Sequence, residues 1–163
     1  MKSFNKQSTS NPYANSRKQT LQAFSSHIDG SSESLFAVVS STHLNIAARD
    51  ALKKTCAALG YGRAIVYVTL DLPSSLTKSD EKPIDRMRLM ELIEGLDPVC
   101  LVATDTEAAR RCGDAYHAPY ETMMQTHLFG RPACSFDKFE ALLGSDEKRQ
   151  SAWRCLRSLR FKH

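Results

Sequence analysis

The sequence predicts an α/β protein, a three-layer α/β/α sandwich around a short parallel sheet of about four strands. Two observations predict it. From Leu35 onward, short apolar runs of strand length alternate with stretches whose apolar residues recur every three to four positions. That alternation is the pattern of strands joined by crossover helices, and such crossovers are right-handed, so helices cover both faces of the sheet. The chain has 163 residues, of which 42% are hydrophobic and 25% charged, which suffices for one core and predicts a single α/β domain over residues 35–163.

Residues 1–16 are rich in Ser, Asn, Gln and Lys and carry too few apolar groups to offset the entropy of ordering them, so a disordered basic tail is expected there. Over 17–34 a short helix is expected, because Leu21, Phe24 and Ile28 fall at spacings of three and four, followed by a linker from Gly30 to Ser34. The first strand is Leu35 to Val39. Asn45 is placed to cap a helix whose apolar face runs through Ala48, Leu52, Cys56 and Leu59 and stops at Gly60. A second strand spans Ala64 to Leu70, then a polar loop from Asp71 to Lys82, then a helix striped by Leu89, Met90, Ile93 and Leu96 and broken at Pro98. Val99 to Ala103 gives the third strand. Thr104 and Glu107 stand at capping-box spacing before a helix through Ala108, Ala109, Cys112 and Tyr116. A fourth strand is expected between Leu128 and Phe136. The last helix starts at Ser145, with Asp146 and Glu147 at its positive end and Trp153, Leu156 and Leu159 on its apolar side.

Charge is distributed unevenly. Lys2, Lys6, Arg17 and Lys18 precede the first acidic residue, Asp29, and Lys148, Arg149, Arg154, Arg157 and Arg160 crowd the other end. Both ends suit a polyanion, and the second group is the candidate contact surface for DNA or RNA. The five cysteines are scattered and form none of the close pairs of a zinc or redox motif, so reduced thiols, no metal and a cytoplasmic location are expected. The chain has no apolar stretch of bilayer length and no apolar region near its start, which argues against a membrane partner and against secretion.

In open parallel sheets, ligands sit beyond the carboxyl ends of the strands. That rule selects Ser40, Ser41, Thr42, His43, Leu70, Asp71, Thr104, Asp105, Asp137 and Lys138 as the candidate pocket. No strained nucleophile turn surrounds Ser41, so a hydrolase built on Ser41, His43 and Asp71 lacks its usual frame. The same turn has no glycine to admit a pyrophosphate, which argues against a dinucleotide enzyme. His117 and His127 stand at no common ligand spacing, and Trp153 reads as a core residue.

Several segments together suggest a family. They are Leu59-Gly60-Tyr61-Gly62-Arg63 leading into Ala64 to Thr69, then Asp97-Pro98-Val99 to Ala103 with Thr106-Glu107-Ala108-Ala109. Near the end come Gly130-Arg131-Pro132, Ala141-Leu142-Leu143, Lys148-Arg149 and Trp153 with Leu156. In order and approximate spacing, residues from about Leu35 to Phe161 resemble the uracil-DNA glycosylase superfamily, especially the branch that includes iron-sulfur enzymes. The resemblance implies that fold, and the departures fall on the chemistry. Where the family has a Gly-rich segment with an acidic residue, this chain has Ser40-Ser41-Thr42-His43; where it has an asparagine that reads uracil, this chain has Leu70. Where it has a histidine before proline, Lys138 and Phe139 stand, and no cysteine lies between Asp71 and Leu96 to hold a cluster.

The resulting expectation is a divergent glycosylase-like protein without a cofactor, lacking ordinary uracil excision and contacting nucleic acid through its basic ends. Two alternatives stay open. One is an active glycosylase or related hydrolase using His43, Asp71 and Lys138 as its catalytic set; the other is a protein-interaction module presenting the segment from Tyr120 to Phe129.

Overall fold

A computed structural model describes residues 12–73, 75 and 83–161. Its elements are α1 (Pro12–Ala23), β1 (Ile28–Gly30), β2 (Phe36–Ser40), α2 (Ile46–Ala58), β3 (Val66–Thr69) and α3 (Arg86–Leu96). They continue with β4 (Cys100–Ala103), α4 (Thr106–Tyr116), β5 (Gln125–Leu128), β6 (Arg131–Ser135) and α5 (Asp146–Leu156). Short 3-10 segments lie at Ser25–His27, Phe139–Gly144 and Arg157–Leu159.

The six strands form one sheet in the order β1-β3-β2-β4-β6-β5. Its four central strands, β3, β2, β4 and β6, run parallel; the first three are the apolar runs read from the sequence, and β6 falls within the stretch from Leu128 to Phe136 where the fourth was expected. The sheet is nevertheless mixed and six-stranded, which corrects the expectation of a parallel sheet of about four: β1 and β5 close its edges antiparallel to β3 and β6. Both were missed for the same physical reason. An edge strand with a wet side needs no apolar run, and β5, Gln125-Thr126-His127-Leu128, buries only its last residue. The β5–β6 hairpin turns on Phe129 and Gly130, both at positive φ (52° and 84°), the backbone that a two-residue turn of matching twist requires.

Side chains alternate across the sheet with the strand period of two. Ala37, Val39, Val66, Val68, Leu101 and Ala103 pack under Leu89, Leu92, Ile93 and Leu96 of α3 and Ala108, Ala109 and Cys112 of α4. Phe36, Val38, Tyr67, Cys100 and Val102 face the other way, onto Ala48, Leu52 and Cys56 of α2 and Leu156 of α5. Phe136 and Phe139 complete that second layer, with ring centroids 5.2 Å apart. Helices therefore cover both faces.

The amino-terminal region differs most from expectation. Most of the predicted disordered tail lies outside the described residues, but residues 12–16 are helical, because α1 starts at Pro12, whose fixed φ suits a first turn. Ile28, read as the end of that helix, instead opens β1. The expected linker is also part of the body: Ser31 N–H donates to the Ile65 carbonyl at 3.0 Å, and the buried Ser34 hydroxyl donates to the Ala64 carbonyl at 2.7 Å. Arg17 ties α1 to the end of α3 by donating to the Gly95 carbonyl at 2.7 Å. Gly30, at φ 89°, runs so close to β3 that an added Cβ would lie 2.3 Å from the Ile65 oxygen.

Helix starts follow from local hydrogen bonds. Asn45 and Ser145 cap α2 and α5 as expected, accepting the N–H groups of Ala48 at 2.8 Å and Lys148 at 3.2 Å. For α4 the cap is Asp105, which accepts from Ala108 N–H at 2.8 Å, and not Thr104. Thr104 is buried and donates its hydroxyl to Ser40 at 2.7 Å. The predicted loop from Asp71 to Lys82 lies in part outside the described residues.

Candidate functional site

The parallel strands end together, and the residues that follow them knit to one another across the sheet edge. Leu70 N–H donates to the Ser40 carbonyl at 2.9 Å and Asp71 N–H to the Ser41 carbonyl at 2.8 Å, which prolongs the β2–β3 pairing. Ser41 N–H in turn donates to the Asp105 carboxylate at 2.8 Å, and Asp105 forms an antiparallel bridge with Lys138. Phe139 N–H donates to the Thr104 carbonyl at 2.8 Å. These contacts bring the predicted pocket residues from four strand ends into one rim.

What the rim does chemically is mostly structural. Leu70 is buried in the core and presents no polar group to a ligand. Asp71 pairs with Arg111 at 2.8 Å, and Asp105 uses both oxygens, one on α4 and one on Ser41. Asp137 accepts from the Thr106 hydroxyl at 3.3 Å. His43 and Thr42 are exposed, and the His43 Nδ1 lies 3.4 Å from the Thr69 hydroxyl. Among the described residues no hydrogen bond joins His43 to Asp71, to Lys138 or to a serine, so the three catalytic candidates share a rim without forming a relay. Nor do three or more His, Cys, Asp or Glu side chains gather where a metal ion would be held, again among the described residues.

Sequence reasoning missed a second feature, on the β5 side of Lys138. A cavity of about 380 Å³ is lined by Met123, Asp137, Lys138, Leu142 and Lys148. A neighbouring cleft of about 370 Å³ is lined by Met123, Gln125, Arg154 and Ser158, and the two share Met123 and Ser151 as a common wall. They form the two lobes of a groove along α5. Met123 is held in a left-handed conformation, φ 61°, by its N–H donating to the Ser135 carbonyl at 2.7 Å. The sequence signal for this groove was weak, since Met123, Lys138 and the α5 pair Lys148 and Arg154 come from three separate segments.

All five basic residues singled out near the end are exposed: Lys148, Arg149 and Arg154 on α5, and Arg157 and Arg160 beyond it. Arg149 is paired with Asp146. Among the described residues, the other four and Lys138 have no acidic partner, and neither do the exposed Lys18, Lys53, Lys54, Arg63 and Arg86, whereas Arg17, Arg49, Arg110, Arg111 and Arg131 do. The segment offered as an interaction surface is also open, with Tyr120 44%, Met124 55% and Phe129 75% exposed. A larger cavity, about 580 Å³, lies between α1 and β1, lined by Arg17, Leu21, Ile28 and Glu33. Two of its polar groups already bond each other, Arg17 to Glu33 at 2.8 Å. No helix among the described residues is long and apolar enough to cross a membrane.

No protein-family model matches the chain, and no curated protein matches it.

Proposed function

We propose that this chain is a divergent protein of uracil-DNA glycosylase-like fold that binds nucleic acid and does not carry out ordinary uracil excision. The observation that carries this reading is the concentration of exposed cations without an acidic partner among the described residues, Lys148, Arg154, Arg157 and Arg160 close together in the chain and Lys138 lining the same groove as Lys148. The other unmatched exposed cations among the described residues, Lys18, Lys53, Lys54, Arg63 and Arg86, are scattered over other elements. Unmatched cations on one region cost self-repulsion unless an anion relieves it, and a phosphate backbone does so while releasing counterions. Four parallel strands between two helical layers support the fold part of the reading. The lack of excision is supported by the strand ends. Excision needs a flipped base held by its edge and charge stabilised at the broken bond. Here Leu70 is apolar and buried, and the nearby carboxylates are engaged in holding α4 and Arg111.

The test is fluorescence anisotropy of labelled single- and double-stranded oligonucleotides, with and without uracil, across a salt series. Binding that weakens steeply with salt, with no base released from the uracil substrate, is the expected result. No retention on any oligonucleotide at low salt overturns it. The enzyme reading around His43, Asp71 and Lys138 requires base release that alanine at these positions abolishes.

One observation favours a second reading. Tyr120, Met124 and Phe129 are exposed around β5, and β5 pairs on one side only, so this edge suits a protein partner. Self-association through it would appear as a concentration-dependent mass in sedimentation that Phe129→Ser reduces; a monomer across the whole range removes a second copy as the partner.

A further inference from the structure

The geometry points to the two-lobed groove along α5 as the binding site for one unpaired strand of nucleic acid. Its phosphates would lie on Lys138, Lys148 and Arg154, and a base would sit in the lobe between Met123 and Leu142. This deepens the nucleic-acid reading above and rests on it.

The groove divides the basic residues into two groups. Lys148 and Arg154 line its walls, Lys138 lines the inner lobe together with Lys148, and Arg149, Arg157 and Arg160 line neither lobe. On the helix, Lys148, Ser151, Arg154 and Cys155 fall within one sector, as the 3.6-residue period requires for residues sharing a wall. Each lobe, about 380 Å³ and about 370 Å³, falls in the lower part of the range for small-ligand pockets, roughly 300–1,000 Å³.

The lining argues for a single strand rather than a duplex. A duplex offers phosphates outward and keeps its bases stacked inside, so it would use the cations and leave Met123, Ala141 and Leu142 idle. An unpaired strand uses both, because proteins that hold single strands combine a cationic track with side chains, most often aromatic, on which bases rest. Met123 supplies that surface here. Its thioether is polarizable and makes favourable contacts with aromatic rings, and its backbone is fixed by the bond to Ser135. Asp137 shares the inner lobe with Lys138 and Lys148, so phosphates there lie on the two ammonium groups, and the carboxylate, which repels them, leaves the rest of that lobe to a base.

The experiment uses the full chain with a fluorescein-labelled mixed-sequence 12-nucleotide strand and the corresponding blunt duplex, by anisotropy over a salt series. The expected result is tighter binding of the single strand than of the duplex. Lys138→Gln with Lys148→Gln should weaken the single strand about ten-fold and flatten its salt dependence, since each lost phosphate contact removes about 0.7 from the log–log slope. Met123→Ala should weaken the single strand and leave the duplex unchanged. Lys53→Gln with Lys54→Gln, exposed on α2, is the matched control, equal in charge and outside the groove. All these positions are exposed, and unchanged melting temperatures show that the variants fold. Equal affinity for strand and duplex, or a control pair as damaging as the groove pair, overturns the groove while leaving nucleic-acid binding standing. No binding of either probe overturns both.

Discussion

Replacing Arg131 by Met is expected to destabilise the protein by about 3 kcal/mol, the lower part of the range for removing one member of a buried ion pair. Arg131 opens β6 and is 9% exposed. Every nitrogen of its guanidinium is engaged at a single junction, where Nε donates to the Pro98 carbonyl at 3.0 Å, Nη1 to Glu94 at 2.7 Å and Nη2 to Asp97 at 3.3 Å. It thereby clamps the turn between α3 and β4 to the neighbouring strand. Asp97 sits at positive φ there, 48°, a conformation that a carboxylate-bearing residue tolerates and that the clamp holds. The cost stays near the lower bound because Glu94 and Asp97 remain 35% and 80% exposed and can regain water. For a domain of this size the loss corresponds to a fall in melting temperature of roughly 6–12 °C. Urea unfolding reads it directly, and a loss under about 1 kcal/mol would show that the clamp is ornamental. Arg131→Lys should recover only part, since an ammonium cannot span three acceptors in one plane.

The same clamp gives a pH signature. Burial alone would raise the Glu94 carboxyl, but hydrogen bonds from Arg131 and Tyr116 and the charge of Arg131 outweigh it and hold the group below its ordinary 4.5. A lowered folded pKa contributes stability that is complete above the ordinary value and lost as the pH falls through the folded one. Stability should therefore drop on acidification below about pH 4.5, and less steeply in Glu94→Gln. Parallel acid profiles for the two proteins would remove Glu94 as the source.

Asp105→Ala is expected to cost about 2–3 kcal/mol, although Asp105 stands at a strand end where a catalytic carboxylate is sought. It caps α4 through Ala108, and loss of such a cap costs about 1 kcal/mol. It also accepts Ser41 N–H at 2.8 Å, and an amide left without an acceptor in a half-buried site costs a further 1–2 kcal/mol. Asp105→Asn keeps an acceptor oxygen and should recover more than half. Affinity for an oligonucleotide, measured where the variant is still folded, should not change. A large loss of affinity with normal stability would instead make Asp105 a ligand contact.

The parts legible in the sequence are those whose energetics are local. Strands β2, β3 and β4 are buried on both faces and announce themselves as apolar runs, whereas β6, Arg131-Pro132-Ala133-Cys134-Ser135, shows only as a strand somewhere between Leu128 and Phe136; Asn45 and Ser145 cap helices by bonds three residues long. Parts settled by distant contacts were not legible. Ile28 reads equally well as helix or strand until β3 is present to pair with it. Thr104 and Asp105 are both competent caps, and Ser40, far away in sequence, decides between them by taking the Thr104 hydroxyl. The same holds for the site. The strand-end rule named the rim, but whether Asp71 is free or matched depends on Arg111, and the groove beside Met123 exists only once α5 lies against β6.

The burial of the cysteines makes the two layers separately observable by chemistry. All five are buried free thiols, and burial pushes Cys56 up to about 11 and Cys100 and Cys112 up to about 12, so these three offer little thiolate in the native protein at neutral pH. Alkylation of these groups must await local or global opening. Cys112 belongs to the α3–α4 layer and Cys56 to the α2–α5 layer. The ratio of their labelling rates thus reports whether the sandwich opens one face at a time or as a single cooperative unit.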